Sequence, residues 1–357
     1  MNNIIPKRHD GFSLIEIMVG MVIGLIAVVV IMQVFSTFEG QKRSTTGNAD
    51  TQTNGSLSLY FIEREALMAG FGLVAINTTN VPLRCTTAGV AIAPVTIVDG
   101  AAGASDQIIL RYGSSASAGL PSPIVSVAGS TLGLFNNLGC TVGDTVLITN
   151  GTNCAMDALV TGPTDILPIP VPTGDNTRVE LSVLPAVAVP GALLTCLGTW
   201  NQVEFRVNDN KLERNSPPLG AAVAIGTPIQ SDIVNIQAQY GVSTEAKSNV
   251  ITAWVDATGI WGAGMTADNR TRIKAIRVAV VARNGFVEKD TNPTVACTTT
   301  RLVVNQGPCV WNDAAPWISP APMLDLSTSI ASWGQYRYRV FDTVIPIRSL
   351  IWSRNTM

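Results

Sequence analysis

Between Glu16 and Glu39 the chain carries 22 residues without an ionisable charge, IMVGMVIGLIAVVVIMQVFSTF. As a helix this run spans roughly 33 Å at ~1.5 Å per residue, enough to cross a bilayer core of about 30 Å. An ordinary secretory signal fits poorly, because its apolar region is about 7–15 residues and a small-residue cleavage site follows it. Here the run is longer and no A-x-A-like site follows. The candidate processing point, Gly11-Phe12, precedes the run, so a cut there removes the leader MNNIIPKRHDG and keeps the helix. Glu16 sits one turn into the apolar segment. A carboxylate costs about 2.5–3.5 kcal/mol at the centre of a membrane helix and less near an end, so it calls for a partner. The new amino group of Phe12, in the same chain or a neighbouring one, is the candidate. A plain signal anchor is the competing reading and leaves Glu16 unexplained. Lys7 and Arg8 precede the helix and Lys42 and Arg43 follow it, so the positive-inside rule barely decides the orientation.

Gly11, then Phe12-Ser13-Leu14-Ile15-Glu16, then a long apolar helix: this arrangement resembles the type IV prepilin family. The resemblance implies that a prepilin peptidase cuts after Gly11 and methylates the new N-terminal residue, Phe12. It also implies that Glu16, fifth in the mature chain, pairs with a neighbour's N-terminal amine during filament assembly. Gly20 and Gly24 form a GxxxG, a spacing that lets helices approach closely, although glycine is frequent in membrane helices generally. Many pilins of this family carry a helix-breaking proline in this segment; here there is none between Phe12 and Met68. Residues 40–55, with Gly40, Gly47 and Gly55, are expected to loosen the helix by up to about 1 kcal/mol per glycine. A helical pattern then resumes from Ser56. It has Leu57, Phe61 and Met68 on one face, Leu59, Ile62 and Ala66 on the opposite one, and Glu63 and Glu65 between them. A helix apolar on two sides wants partners on both: its own domain on one, and that domain again or neighbouring subunits on the other.

From Gly70 onward the signals are short β-type runs bounded by Gly, Asn and Asp, among them DQIILRYG, GDTVLITNG, TRVELSV and NQVEFRVNDNK. Alternation is clear in IVNIQAQYG, where Val234, Ile236, Ala238 and Tyr240 face one way. In RIKAIRVAVVARNG the apolar side becomes continuous only toward the end, and YRYRVFDTVIPIRSLIW reads as a strand pair broken near Pro346. The segments TQTNGSLSLYFIEREALMAGFG, IQAQYGVST, RIKAIRVAVVAR and YRYRVFDTVIPIRSLIW resemble the PilW group of minor pilins, whereas residues 75 to 200 match it poorly. Trp311, Trp317, Trp333 and Trp352 crowd the last fifty residues and are read as core packing.

Chemistry is hard to find. The only histidine is His9, inside the expected leader, so triads and histidine-based zinc sites lack their imidazole. P-loop, GxSxG, HExxH and CxxC patterns are absent. VNDNKLERN around Asp209 offers close oxygens but lacks the glycine and terminal glutamate of an EF-hand loop, so it is read as a turn. A net charge of −2 gives no electrostatic case for nucleic acid. Cys85, Cys140, Cys154, Cys196, Cys297 and Cys309 form an even set and read as up to three disulfides in an exported chain, with buried free thiols as the alternative. Of fifteen connectivities we favour Cys297 with Cys309 and Cys140 with Cys154, which close short loops, leaving Cys85 with Cys196.

The expected fold is α+β: a long N-terminal membrane-spanning helix followed by a β-rich globular head with an antiparallel sheet. The expected divisions are a leader at 1–11, a transmembrane assembly helix at 12–38, a helical extension at 39–73 and a head at 74–357. The resemblance implies a minor pilin, not an enzyme, with no cofactor or metal, that helps prime a type IV pilus. Its partners would be the prepilin peptidase, other minor pilins, the major pilin and inner-membrane lipid. Before assembly it would span the inner membrane once with its head in the periplasm, and afterwards it would sit at or near the pilus tip. A type II secretion pseudopilin and a tip adhesin are the alternatives.

Overall fold

One helix, α1 (Leu14–Met68), runs without interruption through Gly40, Gly47 and Gly55, the three glycines expected to loosen it. The reason lies in helix cooperativity. Propagation adds one hydrogen bond per residue, so isolated glycines weaken a helix without ending it, and proline is absent. The computed structural model describes residues 11, 13–73, 83, 85–87, 92–101, 104–117, 119–136, 139–151, 153–156, 158–162, 177–218, 226–287, 309–310, 323–324, 326 and 333–352. Two compact units emerge, Met1–Asp50 and Thr51–Met357.

Within the second unit the strands begin with β1 (Val95–Val98), β2 (Gln107–Tyr112), β3 (Ser122–Ala128), β4 (Thr131–Leu134), β5 (Thr145–Asn150) and β6 (Asn153–Ala155). They continue with β7 (Thr177–Glu180), β8 (Leu193–Gly198), β9 (Asn201–Asn208), β10 (Lys211–Asn215), β11 (Thr227–Ser231), β12 (Ile233–Val242) and β13 (Ala253–Val255). After the short helix α2 (Ala267–Arg272) come β14 (Ile273–Arg283), β15 (Cys309–Val310), β16 (Met323–Leu324), β17 (Tyr338–Pro346) and α3 (Arg348–Trp352).

Three larger sheets result, ordered β1-β2-β9-β10-β11, β13-β12-β14-β17 and β6-β5-β8-β3-β4-β7, with β15-β16 as a small pair. Every recorded strand pair is antiparallel. The sequence VNDNK forms the β9–β10 turn, with Asp209 and Asn210 at φ 47° and 55° and Asn208 opposite Lys211. Positive φ at both central positions is the mark of a type I′ hairpin, which asparagine and aspartate tolerate. A turn, not an ion loop, is what those oxygens serve. At the C-terminus the expected second strand is instead α3, beginning two residues after Pro346 and burying Leu350. Trp352 at its end is 75% exposed, against the expected core role. Trp311, Trp317 and the side chain of Trp333 lie outside the described residues.

The main core gathers Ile62, Ala66 and Ala69 of the helical segment, Ile108, Leu110, Val203, Phe205 and Leu212 of the first sheet, and Ile236, Ile276, Val278 and Val280 of the second. β14 is buried along its whole length except at Arg283, so the alternation read from its sequence does not become a wet face. Lys274 and Arg277 stay inside because local partners replace water. The Lys274 ammonium donates to the carbonyls of Ala246 and Thr271 at 2.6 and 2.8 Å, and burial pushes its pKa down to about 8. Arg277 donates to Gln239 Oε1 at 2.7 Å and lies 5.2 Å from the Trp254 ring centroid.

A buried carboxylate joins the first two sheets. β13 covers the edge of β12 only at Tyr240 to Val242, leaving earlier backbone groups to be satisfied otherwise. Asp106, at the entry to β2, donates its N–H to the Ile236 carbonyl at 2.8 Å and accepts the Ala238 N–H at 2.7 Å. Its other carboxylate oxygen accepts from Gly100 N–H at 2.8 Å. Burial raises its pKa to about 7, against the lowering effect of those two N–H donors, with Asp99 and Asp256 adding to the rise.

The third sheet is made entirely of chain lying between β2 and β9, which are themselves hydrogen-bonded neighbours. It has a second core of its own, including Ile124, Leu132, Leu134, Val146, Ile148, Val179 and Leu194.

Candidate assembly site

In the first unit the informative surface is the bare one. Every large apolar side chain from Leu14 to Phe38 is between 49 and 74% exposed. An 18-residue window of this helix has a mean hydropathy of 2.9 and none of it is buried. So much exposed apolar surface requires lipid or other helices around it. Glu16 lies in the first turn, exposed among these residues. A β-carbon built on Gly20 or Gly24 would meet nothing within 4 Å, so neither glycine is there for a contact within the chain. Gly11 is exposed, while Phe12, the expected methylation site, lies outside the described residues.

In the second unit the remainder of α1 shows one seated face and one open face. Thr51, Ser58, Ile62, Glu65 and Ala66 are buried, while Leu57, Tyr60 and Met68 are 39 to 55% exposed. The two-sided apolar pattern thus resolves into a core-facing side and a side the chain itself leaves open. Phe61 only partly joins the core, with the Arg64 guanidinium over its ring at 5.9 Å.

Glu65, expected to lie between the faces, is instead turned inward. It accepts hydrogen bonds from the Tyr112 hydroxyl on β2 and from Arg214 on β10 at 3.1 Å, and Arg64 adds a third at 3.2 Å. Burial alone would raise its pKa, but these partners outweigh it and hold the carboxyl below its usual value. The same pairing pushes the Tyr112 phenol up to about 12, after burial as the larger cause. One carboxylate therefore fixes the register of the helix across the first sheet. Its spacing carried the signal: Glu65 follows Ile62 by three residues and precedes Ala66, which places it on their face.

Four of the cysteines join, in pairs other than those expected for them. Cys140 bonds to Cys196 and Cys85 to Cys154, with Cα atoms 5.3 and 5.8 Å apart. The short-loop argument for Cys140 with Cys154 fails because sheet pairing overrides sequence distance. β5 lies between β6 and β8, placing Cys154 and Cys196 on strands that flank it. Cys297 and the side chain of Cys309 lie outside the described residues. Among the described residues no group of three or more His, Cys, Asp or Glu could hold a metal ion.

Comparison with known proteins bears on both ends of the chain. The prokaryotic N-terminal methylation motif matches residues 6–32, and the type IV pilus-assembly protein W family matches residues 205–349. The second match starts inside β9 and covers β12, β14 and β17. No curated protein matches the sequence. Among solved structures, a type IV-like pilin from Thermus thermophilus is similar at 10% identity and a TM-score of 0.38, over 85% of this chain and 97% of that one. The chain thus carries a prokaryotic N-terminal methylation motif on its apolar helix and a type IV pilus-assembly protein W domain in its antiparallel head.

Proposed function

We propose that this protein helps prime and build a type IV pilus by inserting its N-terminal helix among other pilin helices and docking its head on other minor pilins. The leader is cut between Gly11 and Phe12, and the amine of Phe12 is methylated. Residues 12–38 then hold the chain in the inner membrane, head in the periplasm, until they pass into the fibre at or near its tip. Glu16 pairs with the N-terminal amine of a neighbouring subunit, which removes the cost of a lone carboxylate among apolar groups. The observation that carries this reading is the anchor itself, with every large apolar side chain open and one carboxylate in its first turn. The exposed Leu57, Tyr60 and Met68 supply a further face for lateral packing.

The test counts surface pili in cells lacking the protein and in cells carrying Glu16→Ala. Both are expected to lose most pili, the variant despite normal leader cleavage. Full piliation of the deletion strain would end the priming hypothesis.

A further inference from the structure

We propose that the six-stranded lobe between Tyr112 and Asn201 is a separable module grafted into a complete pilin head, so that the rest of the chain folds and assembles without it. Tyr112 and Asn201 are Cα partners in the β2–β9 ladder, which puts the two ends of the insert side by side, about 5 Å apart. A two-residue hairpin turn could close that gap. The strands on either side, β2 and β9, are paired from Ile108–Phe205 to Tyr112–Asn201 in the first sheet without any strand of the lobe.

The lobe also has its own interior. Leu132, Leu134, Val146, Ile148, Val160 and Val179 pack with one another and not in the main core. Cys140–Cys196 has both ends within it. The family match begins at residue 205, so the lobe is outside the part shared with other pilus-assembly proteins of this group. Its charge differs from the rest as well. From Gly113 to Trp200 the sequence contains Asp144, Asp157, Asp165, Asp175 and Glu180 against Arg178 alone, and no lysine.

The attachment is real but limited. Leu147, Cys154, Met156, Leu197 and Trp200 reach into the main core, and Cys85–Cys154 staples β6 to the segment before β1. Separability therefore means that the main core survives loss of the lobe's order. The assembly half of the proposal rests on the function proposed above; the folding half does not.

Hydrogen exchange on the full chain in detergent micelles tests the folding half. Leu132→Asp puts a charge into the lobe's own core. Amides of β3 to β8 are expected to exchange on the order of 100-fold faster, while those of β12, β14 and β17 stay within about threefold of the parent. Loss of protection in both groups together would overturn the proposal. The assembly half is tested by replacing residues 113–200 with Asn-Gly, in a chain that also carries Cys85→Ser. That chain is expected to restore pili to a deletion strain as fully as the parent does. Failure to do so with β12, β14 and β17 still protected would overturn it. If the deletion strain keeps its pili, the priming reading fails, and the exchange experiment alone decides separability.

Discussion

Two buried carboxylates respond to pH in opposite senses, and each sign follows from what surrounds it. Glu65 is held below its ordinary pKa by the Tyr112 hydroxyl and the Arg64 and Arg214 guanidiniums, although burial opposes them. The folded state therefore favours the charged form. Its stabilisation is present above the ordinary carboxyl range and is lost as pH falls through the lowered value. Asp106 is pushed up to about 7, chiefly by burial, so the folded state holds its proton where the unfolded chain has released it. Its contribution is complete at acid pH and is lost as pH rises from about 4 through about 7. Melting temperatures measured from pH 3 to pH 8 separate the two. Glu65→Gln should lower stability at pH 7 by about 1–3 kcal/mol and flatten the acid limb. Asp106→Asn should flatten the profile between about pH 4 and 7, whatever its absolute stability. Neither group was legible as an ionic site. Glu65 could have been placed by helical spacing, but Asp106 depends on a strand edge that only the pairing of β12 with β13 leaves open.

At the scale of elements, α1 shows how far propensity reaches. Gly40 and Gly55 look alike in sequence, yet a β-carbon on Gly40 meets nothing within 4 Å, while one on Gly55 collides with the Phe341 ring of β17. Gly40→Ala should therefore stabilise its stretch of helix by up to about 1 kcal/mol, read as slower amide exchange around residue 40. Gly55→Ala should do the reverse, because displacing the aromatic ring costs about 1–3 kcal/mol and outweighs the helical gain. A Gly55→Ala chain melting at or above the parent would mean that Phe341 moves aside freely. Most of the β-rich head could be read from alternation and turn residues, as in β2, β9 and the Asp209-Asn210 turn. What escaped were elements whose identity depends on cover. β14 keeps Lys274 and Arg277 inside because the Thr271 and Ala246 carbonyls and Gln239 reach them, and nothing in its own sequence announces the last two. The end of the chain escaped for a related reason: RSLIW has strand-like composition, but Leu350 is drawn into the main core as part of a helical turn.

For the whole molecule, the disulfides measure how much of the architecture is non-local. The anchor was legible because its signal is a single run of adjacent residues. The lobe was not, because it is defined by the pairing of Tyr112 with Asn201 across its entire length. The same limitation misdirected the cysteine pairing, where loop length favoured Cys140 with Cys154 and sheet order chose Cys140 with Cys196. The two bonds close 56 and 69 residues, so chain-entropy arguments give each about 4 kcal/mol, the longer loop gaining only a few tenths more. Their consequences should differ in place more than in size. Cys140→Ser with Cys196→Ser removes a constraint internal to the lobe, and peptide mapping of the exchange pattern should show faster amides in β5 and β8 alone. Cys85→Ser with Cys154→Ser frees β6 from the segment that carries Leu83 and Cys85 into the main core, so protection should also fall near β1. Non-reducing peptide maps of the parent should contain Cys140 linked to Cys196 and Cys85 linked to Cys154. A Cys140–Cys154 peptide instead would mean that Cys154, opposite Thr149, and not Cys196, opposite Val146, lies beside Cys140, and the registers of β6 and β8 on β5 would have to be redrawn.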